Sequence, residues 1–313
     1  MKPTSATARH PLTIAAAAAT ALLACAPALA ASTASATLGP FTITLYDLNP
    51  GDAIDPSLTF NNPYGYGSYA DAYAYDYFAG QYSNVGNYGP APWAPVSAAT
   101  SGVTNAWANS SVSGSDNAQG TTLSASGTAL GTGNSDPSVS YYSQFGAQAD
   151  GDITSQSFTL SPYTAVVVSA QSVLGAGVTN VWDPAITNGI EYAQAGTSLQ
   201  MSGPGPGGGG GQSSSDGLSF HIQSAYYDTS PPCGSMTLGY CLGPNSASDT
   251  RMLSVSFVNA TTVAMDGTLQ AYAYAYGYSQ AIAAVPEPAS GALLLAGLAA
   301  TAFSVKRRTR RSA

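Results

Sequence analysis

Between Ala31 and Val285 the chain has no lysine, one arginine (Arg251) and one histidine (His221), against fourteen aspartates and Glu191, a net charge of −14. A surface so short of cations repels phosphate backbones and anionic lipid, which excludes nucleic acid as a partner. Charged residues are 8% of the 313, against about 25% in ordinary globular proteins. Ser, Thr, Asn, Gln and Gly must therefore solvate most of the surface. Scarce histidine also limits chemistry, because any Ser-His-Asp or Cys-His set would need His221. In "GLSFHIQSAYY" Leu218, Phe220 and Ile222 share one face and Ser219, His221 and Gln223 the other, which turns His221 to solvent. One carboxylate pair, Asp183 and Glu191 in "WDPAITNGIEY", lies beside Trp182 and Tyr192 and has the residue types of a glycoside hydrolase. Asp183-Pro184 is equally an ordinary turn start. No catalytic set stands out, and the chain reads as a non-enzyme.

Cysteine is nearly absent. Cys25 lies in an N-terminal apolar run, and Cys233 and Cys241 in "PPCGSMTLGYC" are the pair left beyond it. An even count in an exported protein favours a disulfide, worth about 2–3 kcal/mol for so short a loop. Zinc would need more ligands than two cysteines and a distant histidine.

Helical periodicity is also missing between residues 31 and 283. "FTITLYDL" alternates Phe41, Ile43 and Leu45 with Thr42, Thr44 and Tyr46; "SFTLSPYTAVVVSAQSV" gives two β-branched runs around Ser161-Pro162. "RMLSVSFVN" and "TLQAYAYAYGYSQA" flank Met265-Asp266-Gly267, where Asp-Gly predicts a hairpin. The expected fold is all-β, a single antiparallel, jelly-roll-like sandwich over 31–283. "SGPGPGGGGGQSSSDG", residues 202–217, is expected as a flexible loop inside it.

Two features of this body suggest binding. Asp47, Asn49, Asp52 and Asp55 in "DLNPGDAID" gather oxygens that would suit calcium, as do Asp150-Gly151-Asp152, although Asp, Asn and Gly also build plain turns and the spacing is not that of an EF-hand. Otherwise no cofactor is expected. Tyrosine is conspicuous: Tyr64, Tyr66, Tyr69, Tyr73, Tyr75 and Tyr77 in one run, and Tyr272, Tyr274, Tyr276 and Tyr278 in another. Period 2 places each run on one strand face, either as a half-wet covering of the sheet or as a platform for sugar rings.

The two ends read as addresses. "MKPTSATARHPLTIAAAAATALLACAPALAAS" has a basic start, a short apolar run and an Ala28-Leu29-Ala30 site, so residues 1–30 read as a signal peptide cut between Ala30 and Ala31. Leu22-Leu23-Ala24-Cys25 is a loose lipobox, the alternative in which Cys25 is lipidated. At the other end Val285-Pro286-Glu287-Pro288 precedes an uncharged run, 289–305, then Lys306, Arg307, Arg308, Arg310 and Arg311. Seventeen helical residues span roughly 25 Å, a marginal but feasible crossing, and the basic cluster holds its side in the cytoplasm.

Residues 284–311 closely resemble the PEP-CTERM sorting domain. The resemblance implies that a membrane-embedded exosortase reads Pro286, Glu287 and Pro288 and removes the helix and basic tail, 306–311, leaving the body at the cell surface or outside the cell. "LYDLNPGDAIDPSLTFNN", "FTLSPYTAVVVSAQ" and "MLSVSFVNATTVAMDGTLQAYAYAYG" look like segments of other PEP-CTERM proteins with β-sandwich ectodomains. The expected protein crosses the inner membrane, is held there before processing, and serves a structural or adhesive, non-enzymatic role linked to exopolysaccharide or biofilm. The alternative is a carbohydrate-binding module with Tyr and Trp platforms, calcium-stabilised.

Overall fold

Small apolar residues alternate with polar ones along most of the body, and that period builds strands. The computed structural model describes residues 31–61, 67–114, 118–131, 142–151, 156–179, 191–207, 209–223 and 246–280, which carry fifteen strands in two antiparallel sheets. The first sheet runs β14 (Ser246–Asn259), β11 (Thr164–Val178), β1 (Ala31–Leu38), β8 (Thr122–Leu130), β7 (Ala106–Ser113), β6 (Val96–Ala99), with β2 (Thr42–Asp47) also on β11. The second runs β13 (Gly211–Gln223), β12 (Glu191–Pro204), β15 (Met265–Ser279), β9 (Ser143–Asp150), β4 (Tyr69–Asp76), β5 (Gln81–Tyr88); β10 (Gln156–Leu160) joins β15, and β3 (Leu58–Phe60) joins β10. Each sheet hangs on one long strand whose edge two shorter ones share. On β11, β2 takes Thr164–Ser169 and β1 takes Ser172–Val178; on β15, β10 takes Met265–Leu269 and β9 takes Tyr272–Ser279.

The two sheets bury one face each into a common core, a sandwich-like arrangement. Nearly half of the core positions are alanine, so a few large rings fill the volume: Trp93, Phe41, Phe145, Phe158 and Phe257 are fully buried. Phe41 meets Trp93 edge-on at 5.1 Å, and Phe158 meets Phe257 at 5.2 Å. Phe145 of β9 presses on Gly127 of β8 in the facing sheet, where an added Cβ would stand 2.1 Å from its ring. Burying each such side chain contributes about 1.5–3 kcal/mol.

Both flanks of the sandwich are closed by side chains. Gln212, Ser214 and Asp216, alternating along β13, take the backbone N–H groups of Val258 (3.1 Å), Ser256 (3.2 Å) and Ser254 (3.1 Å) on the edge of β14. Gln212 Nε2 also donates to the Val258 carbonyl (2.7 Å), and Arg251 of β14 binds Asp216 (2.6 Å). On the opposite flank β5 repeats the device. Asn87 donates to the Ser97 carbonyl (2.6 Å), while Ser83 and Gln81 accept from the N–H of Ser101 (3.2 Å) and Thr104 (2.7 Å).

Two expectations are corrected here. The glycine-rich stretch 202–217 is no loop from end to end: Ser202–Pro204 closes β12, Gly211–Gly217 opens β13, and the turn lies between them. Alternation of Gln212, Ser214 and Asp216, not glycine content, governs its second half. Nor is Asp266-Gly267 a hairpin turn, since β14 and β15 belong to different sheets. Both residues sit inside β15, where Asp266 accepts from Thr159 (2.6 Å) and Gly267 lies under the Phe158 ring. The chain turns earlier, around buried Asn259, whose Nδ2 donates to the carbonyls of Ser161 (2.9 Å) and Val263 (2.8 Å).

Among the described residues no helix is long and apolar enough to cross a membrane. The expected signal peptide with its Ala30 junction and Cys25, the Cys233–Cys241 pair, and the sorting segment 284–311 with its span 289–305 all lie outside the described residues.

Candidate functional site

Along β4 and β15 alanine, with Asp76, Gly277 and Ser279, points inward and tyrosine points out, the period-2 arrangement expected of the two tyrosine runs. Strand register then joins them into one surface. Across β12, β15, β9, β4 and β5 one row reads Tyr192, Tyr278, Gln144, Tyr75, Tyr82, and the next reads Gln194, Tyr276, Gly146, Tyr73, Asn84. The two rows after these carry Tyr274 with Asp71 and Tyr272 with Tyr69 and Tyr88. Ten tyrosines from four strands thus pave the outer face of the second sheet.

The paving is ordered by ring contacts and carboxamides. Tyr192 stacks on Tyr278 (5.5 Å, 11°) and on His221 (5.8 Å, 19°), and Tyr69 leans on Tyr88 at 4.8 Å. Gln144 donates to Tyr73 Oη (3.2 Å), Gln194 to Tyr274 Oη (3.1 Å), and Tyr192 Oη to Gln194 Oε1 (2.9 Å). Gly146 and Gly196 make room for the rings of Tyr73 and Tyr274, which lie where a Cβ would be. Burial pushes the phenols of Tyr69, Tyr73, Tyr192 and Tyr278 up, and that of Tyr276 up to about 12. Burial also raises the Asp71 carboxyl, opposed by its hydrogen bond from Tyr69.

Toward β5 the face opens into a cleft of about 390 Å³ lined by Tyr73, Tyr75, Tyr82, Asn84, Tyr142 and Gln144. The rings of Tyr77, Tyr82 and Tyr142 meet that of Tyr75 at 84°, 71° and 63°, and Tyr77 stacks on Tyr142 at 5.6 Å. The outer face of the first sheet differs. Thr33, Ser35, Ser126 and Thr128 surround a shallow groove of about 380 Å³ beside half-exposed Trp107.

The other predicted site residues are dispersed. Asp47 accepts from the Asn49 N–H (2.8 Å), Asp52 from the Ile54 N–H (2.9 Å) and from Asn49 Nδ2 (3.4 Å), and Asp55 is exposed. These are turn contacts. Among the described residues no three His, Cys, Asp or Glu side chains gather to hold a metal ion. Asp150 accepts from Gln148 (2.9 Å), and Asp152 lies outside the described residues. Glu191 is buried at the start of β12, accepting from Thr179 (3.4 Å) and Ser279 (3.4 Å), while Trp182 and Asp183 lie outside the described residues, as do Tyr64 and Tyr66. His221 is exposed, as its alternation predicts. Sequence reading missed Tyr82, Tyr88, Tyr142, Tyr192, Gln144 and Gln194 as members of the face. Spacing of Tyr82 and Tyr88 at even intervals in "QYSNVGNY" was the available signal.

An all-β body of two antiparallel sheets with a tyrosine-rich outer face defines an architecture rather than a particular activity. The terminal segment is more specific: residues 284–311 match the PEP-CTERM protein-sorting motif. The motif implies export and exosortase-mediated sorting toward the cell surface, and the body lies outside the match. A search of the curated proteins finds no match, and neither does a search of the solved structures.

Proposed function

We propose that this protein is a non-enzymatic adhesive or structural component of the cell surface or extracellular matrix, linked to exopolysaccharide or biofilm. In this reading its signal peptide is cut after Ala30, an apolar span at 289–305 holds it in the inner membrane, and exosortase then removes that span with the basic tail. A jelly-roll-like sandwich that needs no cofactor remains outside, with Cys233 and Cys241 joined in a short disulfide loop. The observation that carries the adhesive role is the tyrosine face. Ten rings share one outward sheet surface, Tyr82, Tyr88 and Tyr272 exposed and the other seven half-buried, and a contiguous aromatic patch of this kind marks an interaction site. A carbohydrate-binding module is the second reading, favoured by the cleft at Tyr75 and Tyr82.

The test is retention of the purified full chain on the producing organism's own exopolysaccharide. Retention that falls when Tyr276 and Tyr278 are changed to Ala supports adhesion through this face; passage without delay overturns it.

A further inference from the structure

We infer that the cleft between β4, β5 and β9 binds a strand of uncharged polysaccharide, with Tyr75, Tyr82 and Tyr142 taking the sugar rings and Asn84 and Gln144 their hydroxyls. This deepens the adhesive reading above and rests on it.

The lining decides the chemical class. Four phenol rings and two carboxamides line an open, shallow cleft of about 390 Å³ with no charged side chain among them, a volume within the range of small-molecule sites, about 300–1,000 Å³. A pyranose has apolar C–H faces and a rim of hydroxyls. Aromatic faces suit the first, and carboxamides, which both donate and accept, suit the second. Gln144 is steadied by its bond to Tyr73 Oη, and two N–H donors with a carbonyl leave it further capacity. Tyr82 is the most open of the four tyrosines, 62% exposed on the edge strand. A ligand can therefore reach the cleft without any movement of the sheet.

Charge excludes the acidic polymers. The body carries −14, and Arg251, its one cation, sits on β14 of the other sheet bound to Asp216. A uronate or sulfate chain would meet repulsion with no counter-charge. Length points to a polymer, because the row Tyr82, Tyr75, Gln144, Tyr278, Tyr192 continues the cleft across five strands, roughly 19 Å at the usual strand spacing.

Affinity electrophoresis of the full chain, held in a zwitterionic, sugar-free detergent, tests this. Gels contain dextran, mannan or xyloglucan as neutral probes and alginate or polygalacturonate as acidic ones. Retardation is expected in at least one neutral gel and in neither acidic gel. Tyr82→Ala and Asn84→Ala each weaken it tenfold or more, while Met252→Ala, exposed on the first sheet, changes it less than twofold. Equal retardation by acidic polymers, none by any neutral one, indifference to Tyr82→Ala, or retardation caused by pairing of two protein copies overturns the proposal. Retention on the native exopolysaccharide that ignores Tyr82→Ala sinks the cleft and spares adhesion. Neutral binding through Tyr82 without native retention does the reverse.

Discussion

Gly146 lies beneath Tyr73 and Gly196 beneath Tyr274, so closely that a Cβ would stand 2.2 Å and 2.4 Å from the respective rings. These glycines act as seats for aromatic rings rather than as turns, since both are inside strands that pair on either side. Gly146→Ala should therefore cost about 1–3 kcal/mol by forcing the Tyr73 ring aside. Gly207→Ala, with nothing near its Cβ, should stay within about 0.5 kcal/mol. Urea unfolding of the two variants measures the contrast, and equal losses would show that the rings do not rest on glycine. The phenols above these seats make a second prediction. Tyr276 is raised from 10.0 to about 12, and Tyr69, Tyr73, Tyr192 and Tyr278 are raised as well, all chiefly by burial. The folded protein thus keeps protons that the unfolded chain releases near pH 10, so stability is whole below that pH and is lost as pH rises toward 12. Following tyrosinate absorbance and far-ultraviolet circular dichroism together should show ionisation of these rings arriving with unfolding. Ionisation of these rings with its midpoint at pH 10 in a still-folded protein would contradict it.

At the scale of elements, open sheet edges are the hazard that a two-sheet fold must manage, because unpaired N–H and C=O groups recruit other strands. Here Gln212, Ser214 and Asp216 occupy the β14 edge, and Gln81, Ser83 and Asn87 occupy the β6 side. Replacing Gln212, Ser214 and Asp216 together by alanine should remove about 0.5–1.5 kcal/mol per backbone hydrogen bond and leave a free edge. Light scattering should then report concentration-dependent association that the parent lacks. Arg251→Gln alone should change stability by about 0–1 kcal/mol, as its side chain is 48% exposed in the ion pair. Much of this was legible in the sequence. Alternation in "FTITLYDL" and around Ser161-Pro162 yields β2, β10 and β11, since half-buried strands carry their own period. The glycine-rich stretch failed because its glycines hid the alternation of Gln212, Ser214 and Asp216 in a local hairpin, and the Asp-Gly signal failed because strand pairing is non-local. Asp266-Gly267 looks like a turn because a local rule says so, yet the Phe158 ring and Thr159, more than a hundred residues away, hold both residues in β15. The tyrosine face was half legible on the same ground. Each run declared its own face, but only register sets β4 and β15 on either side of β9.

At the scale of the whole molecule, the sequence places its cations almost entirely in segments that sorting would discard. Five of eight lie in 306–311, two more in the first nine residues, and Arg251 alone is in the body. Processing would then convert a chain of net charge −8 into a body of −14, a surface that repels other copies of itself and anionic polymers while leaving neutral partners unaffected. That body meets water with Tyr and Gln on one sheet and Ser and Thr on the other, side chains that hydrogen-bond without charge. Trypsin reads this distribution directly. Processed protein, denatured and digested, should give only two body fragments, divided after Arg251. In the folded state that site sits in a paired strand, its guanidinium bound to Asp216 and to the Gly217 carbonyl, and should resist cutting. Glu287→Ala, by damaging the sorting motif at 284–311, should keep the tail attached. Mass spectrometry of the membrane fraction would then find an intact chain with the 306–311 cations still present. Release of the body from that variant at the parent's rate would show that cleavage does not depend on Glu287.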